Sequence, residues 1–112
     1  MSVELPVEAQ FNAYNAHDLE SFLGCFSDAF KGYRMPTESP GTVGKEALSA
    51  FYGSHRFNNP ALRAELLART VIGNKVFDHE LIYGLSPEPI ESMAVFEVEA
   101  GLIKTAWFYF PT

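Results

Sequence analysis

The chain has 112 residues, which suits one domain spanning 1–112 and leaves no room for two. Its make-up, 47% hydrophobic and 20% charged, is that of a globular protein able to bury a core without a disulfide or metal staple. A net charge of −6, with eight Lys and Arg scattered singly, excludes the positive stripe a nucleic-acid binder needs and argues against an anionic membrane surface.

Cys25 is the sole cysteine, so no intrachain disulfide and no cysteine-based metal site can be built. No charged-then-apolar leader opens the chain and no apolar run reaches about 18 residues, so the expected location is the cytoplasm. Ten Phe and five Tyr are more than a small core needs in order to close. That surplus points to an aromatic-lined cavity or a subunit interface.

From the N-terminus, Val7, Phe11 and Tyr14 fall at i, i+4 and i+7 and share one helix face. Asn15-Ala16-His17 breaks the pattern, and Asp18 is placed to cap a second helix whose stripe is Leu19, Phe22, Leu23 and Phe26. Ser27-Asp28 ends it, 30–34 reads as a short strand, and 35–42, with two prolines and Gly41, as a loop. A third helix starts near Gly44, carries Leu48, Phe51, Tyr52 and His55 on one face, and closes at Asn58-Asn59-Pro60.

The second half reads as four strands: 62–72, 75–83, 90–99 and 102–110. Gly73-Asn74 suits a two-residue hairpin turn between the first pair. Helices first and a meander after give an α+β fold, a curved antiparallel sheet with three N-terminal helices packed on one side.

Tyr14-Asn15-Ala16-His17-Asp18-Leu19-Glu20, followed by Phe22, Phe26, Ser27 and Asp28, resembles the opening of the nuclear transport factor 2-like superfamily. Within it the sequence is most similar to the SnoaL-like and ketosteroid-isomerase-like proteins. Gly44-Lys45-Glu46-Ala47-Leu48 resembles their third-helix start, and the run from Glu97 to Ile103 with Trp107-Phe108 their final hairpin. The resemblance implies a cone-shaped, cystatin-like α+β fold with the helices on the concave side of the sheet and a deep apolar pocket, usually in a homodimer. It does not carry over the isomerases' chemistry. Gln10 stands where they have a tyrosine, Arg34 where they have the aspartate base, and Ala94 near their protonated aspartic acid.

The stretch Phe77-Asp78-His79-Glu80-Leu81 holds the candidate chemistry. Aligned through Asn74 with the isomerase-like strand, Val76, Asp78, Glu80 and Ile82 face the pocket, and Phe77, His79, Leu81 and Tyr83 the other side. Burial in an apolar cavity disfavours the charged form and can raise a carboxyl pKa by about 3–5. Two neighbouring acids raise it further, which makes an acid or base useful near neutrality. The opposite parity leaves both acids in water and the cavity without a base. Arg34 is expected at the pocket mouth, where it can pair with Asp78 or Glu80.

Tyr14, Tyr33, His55, Phe57, Phe96 and Phe108 are the expected ligand contacts. His55 has an alternative as a packing residue at the end of its helix, and His17 is expected in solvent. The three histidines lack metal-ligand spacing, so no metal is expected. In the last strand Ala106, Phe108 and Phe110 share the pocket face, whereas Thr105, Trp107 and Tyr109 share the outer face with His79 and Tyr83. That outer aromatic patch reads as a homodimer interface.

Two function classes stay open. One is a cofactor-independent isomerase, dehydratase or hydrolase acting on a small hydrophobic substrate, with Asp78 or Glu80 as acid/base oriented by Arg34 or a tyrosine. The other is a non-catalytic binding protein for a small hydrophobic ligand; an interaction module is a weaker third. No Gly-rich strand-to-helix loop signals a nucleotide or flavin, so no cofactor is expected.

Overall fold

The computed structural model describes residues 2–111, in the order α1 (Leu5–Asn15), α2 (Leu19–Leu23), β1 (Phe26–Arg34), β2 (Thr42–Val43), α3 (Gly44–His55), β3 (Arg63–Ile72), β4 (Lys75–Tyr83), β5 (Ile90–Glu99) and β6 (Leu102–Tyr109). The strands form one curved six-stranded sheet that does not close, ordered β2-β1-β6-β5-β4-β3, with the helices against its inner face. Its pairings are antiparallel except that β1 joins β6 in parallel. The sheet is therefore mixed rather than wholly antiparallel, because β1 enters from the helical half and lies alongside the last strand of the meander. Among the described residues no helix is long and apolar enough to cross a membrane.

The second helix is shorter than its apolar stripe predicts. Gly24 caps it after Leu23, and Phe26 opens β1 opposite Ile103. The stripe still packs as one unit, with the Phe22 and Phe26 rings 4.8 Å apart. Asp18 caps α2 as expected, its carboxylate accepting from the Ser21 backbone N–H at 3.1 Å. The turn before it is tied down. Asn15 exchanges two hydrogen bonds with the Ala64 backbone, of 3.0 and 2.7 Å, and the His17 ring lies 2.7 Å from the Leu62 carbonyl. His17 is thus a structural contact and not the solvated residue its turn position suggested.

The sheet's inner face explains the hollow it encloses. Gly32, Ala106, Phe96 and Val76 line up across four strands in one row, and Arg34, Phe108, Ala94 and Asp78 in the next. Glu80 and Ser92 are paired beside them. Gly, Ala and Ser positions keep much of this floor low, while Tyr14, Phe22 and Tyr52 hang over it from the helices. A β-carbon on Gly32 would come within 3.2 Å of the Phe30 ring, which would have to give by a few tenths of an ångström to admit one.

Candidate functional site

Between sheet and helices lies a cavity of about 300 Å³. Aromatic side chains from every helix and from β1, β5 and β6 form much of its wall, among them Tyr14, Phe22, Phe30, Tyr52, Phe96 and Phe108. The roof is tightly interlocked: Tyr14 meets Tyr52 edge-on at 6.3 Å, and Phe22 lies 4.7 Å from Tyr52.

The strand count places both acids on the inner side of β4, but they meet different surroundings. Asp78 is 0% exposed and does not line the cavity. Its carboxylate is taken by Arg69, which donates through Nε at 2.7 Å and Nη2 at 2.9 Å, a two-pronged charge-assisted pair. Arg69 also bridges to Glu8 on α1, so this guanidinium ties helix, β3 and β4 together. Its own pKa is pushed up, first by the bond to Asp78.

Glu80 is 9% exposed and does line the cavity. Among the described residues no hydrogen bond reaches its carboxyl. Burial pushes its pKa up to about 7; the Asp78 charge adds to that and the Arg69 charge opposes it. Tyr52 is pushed up to about 12, mainly by burial, and Tyr14 is raised for the same first reason, with the Glu80 charge contributing at both. The cavity thus holds two phenols kept protonated and one carboxyl poised between its two forms near neutral pH.

The other expected contacts divide. Tyr14, Phe96 and Phe108 belong to the wall. Tyr33 reaches it too, although its ring stacks on Trp107 at 6.2 Å, as its place in the outer-facing parity of β1 requires. Arg34 is at the cavity but pairs with neither acid; its guanidinium lies 4.4 Å above the Phe110 ring. His55 and Phe57 are not cavity residues. His55 sits on the exposed side of α3, 5.4 Å from Phe51, and Phe57 packs behind the wall, edge-on to Phe22 at 5.2 Å. Both lie past the end of the helix face that Leu48 and Tyr52 turn inward.

Sequence reasoning missed Arg69 and Arg56, and it named Gln10 and Tyr52 without assigning them to the cavity. Arg69 was concealed by a bulge: Leu66 pairs with Glu80 and Ala68 with His79, leaving Leu67 unpaired. Strict alternation from Ala64 sends Arg69 outward. Counting back from the Gly73-Asn74 turn instead pairs Ile72 with Lys75 and Arg69 with Asp78, as observed. That signal was available.

Solved structures share this fold at low identity. An uncharacterised cystatin-fold protein from Novosphingobium aromaticivorans superposes with a TM-score of 0.86 at 23% identity, covering 96% of this chain and 97% of its own. The Δ5-3-ketosteroid isomerase of Mycobacterium sp. gives 0.83 at 19%, covering 97% and 92%. A computationally designed 17-OHP binder gives 0.83 at 16%, covering 96% and 90%. No curated protein matches the sequence. At these identities the likeness speaks to fold alone. The sequence itself goes further: residues 7–106 match the SnoaL-like domain, and the chain belongs to that family.

Proposed function

We propose that the cavity is the site of a cofactor-independent proton transfer on a small hydrophobic substrate, with Glu80 as the acid/base. The observation that carries this reading is the Glu80 carboxyl, facing an aromatic cavity without a protein partner and titrating near pH 7. In the proposed step the Glu80 carboxylate takes a proton from carbon next to a substrate carbonyl. A Tyr14 or Tyr52 hydroxyl donates to the oxygen on which charge develops, and Glu80 returns the proton to another carbon, giving an isomer with nothing gained or lost. Asp78 is assigned a positioning role through its charge, because Arg69 occupies both its oxygens. Arg34 is assigned to the mouth and not to the proton transfer.

The test uses 3-cyclohexenone, small enough for the cavity, followed by absorbance as the double bond moves into conjugation. Wild-type protein should accelerate the conversion, and Glu80→Gln should lose about 10²–10⁴-fold of that acceleration. A variant as fast as wild type, or a wild type no faster than buffer, overturns the reading.

A second reading, a non-catalytic binding protein, is favoured by Gln10, Arg34 and Ala94 standing where the isomerase-like relatives carry their chemistry. It shares the cavity but expects no acceleration. In both, the protein is proposed to act as a homodimer through the outer sheet face, where Met93 and Tyr109 are exposed beside the stacked Tyr33–Trp107 pair.

A further inference from the structure

The cations of this acidic chain are not evenly used. Among the described residues Lys45, Arg69, Lys75 and Lys104 each pair with an acid. Lys31, Arg34, Arg56 and Arg63 do not, and of these four Arg34 and Arg56 are cavity residues. Each lies over an aromatic ring that also lines the cavity: Arg34 is 4.4 Å from the centre of Phe110, and Arg56 is 4.8 Å from the centre of Phe51. Stacking fixes a guanidinium plane while leaving its edge N–H groups free to donate. The edge of Arg56 spends one donor on the His55 carbonyl at 2.9 Å; no side-chain donor of Arg34 is engaged among the described residues.

Glu80 is the sole acid among the cavity residues, so they carry more positive than negative charge inside a chain of net charge −6. The Arg56 charge is felt within the cavity, where it lowers the titration of both Tyr14 and Tyr52 against the stronger effect of burial. Two unpaired, ring-mounted guanidiniums beside an aromatic hollow form a receptor for an anion attached to an apolar body.

We propose that the substrate or ligand is an apolar carboxylic acid, its hydrocarbon part in the aromatic cavity and its carboxylate held at the mouth by Arg56 and Arg34. A planar guanidinium matches a carboxylate edge to edge. On a surface of net negative charge, this opening is the place where the local balance favours an anion. The size of the body follows from the space: a cavity of roughly 150 Å³ accepts one benzene ring, so about 300 Å³ suits a body of two fused rings. This assignment rests on the cavity being a small-molecule site and deepens that reading by naming the class of molecule.

The experiment titrates the protein with 1-naphthylacetate and with the uncharged 1-naphthylacetamide, by calorimetry, at low salt. Wild-type protein should bind the acid at least about tenfold more tightly than the amide, as one charge-assisted bond of roughly 1.5–3 kcal/mol requires. The double variant Arg34→Met/Arg56→Met should bind both alike, its retained amide affinity showing that the cavity is intact. Glu80→Gln removes the sole negative charge among the cavity residues and should keep or enlarge the preference, which separates this test from that of proton transfer. Equal binding of the two probes by wild type, or a preference surviving in the double variant, overturns the proposal alone. Binding of neither probe at millimolar concentration overturns it together with the small-molecule site.

Discussion

Glu80 occupies a place where ionising is unfavourable, and that has a thermodynamic signature. Its folded-state pKa of about 7 lies above the ordinary 4.5, so between those values the folded chain binds a proton that the unfolded chain has released. Stability therefore falls as pH rises from about 4.5 to 7 and stays reduced above it. Glu80→Gln should flatten that slope and raise stability at pH 8 by up to roughly 3 kcal/mol, read from urea midpoints at pH 5 and pH 8. The neighbours set the midpoint in opposite directions. Asp78→Asn removes the repelling charge and should move Glu80 below 7, whereas Arg69→Met removes the attracting one and should move it higher, both read by carboxyl NMR. Arg69→Met also strands the fully buried Asp78 carboxylate, at an expected cost of about 3–5 kcal/mol.

At the scale of elements, the β3–β4 hairpin shows what could be read in advance. The bounds of β4 and β5 follow directly from alternation and from the Gly73-Asn74 and Ala100-Gly101 turns, because a two-residue connection fixes register. The fold was legible for the same reason: short connections, clear periodicity and a capped helix-turn-helix opening all agree. The site was legible only in part. Parity sent Asp78 and Glu80 to one face, yet nothing in their spacing tells which meets a cation and which meets the hollow. That difference is made by Arg69, whose side is set by an unpaired residue that composition does not mark. The end of α2 was misplaced because Phe22 and Phe26 serve one core from two elements. A connection nearby is equally specific: Gly84 has φ +99°, and a β-carbon there would lie 2.4 Å from the Ala61 carbonyl oxygen. Gly84→Ala should therefore destabilise by about 1–3 kcal/mol, visible as a lower thermal midpoint.

For the whole molecule, the two sides of the sheet hold different groups. The inner side holds the hollow, the acid and the guanidiniums; the outer side presents Tyr33, Phe77, Trp107 and Tyr109 with the His79–Glu91 pair at 2.6 Å. If the outer side joins two copies, Tyr109→Glu should convert a dimer to a monomer in analytical ultracentrifugation while leaving naphthylacetate affinity unchanged. Leu67, left unpaired in β3, sets the facing of the residues that follow it. Because the ladder resumes in the same facing on both flanks, excising Leu67 should spare the salt link between Arg69 and Asp78. What it removes is local coiling, since two residues facing one make a strand bend and twist more strongly. The length of a single strand, one amino acid more than its partner requires, thereby shapes the vault over which the helices sit.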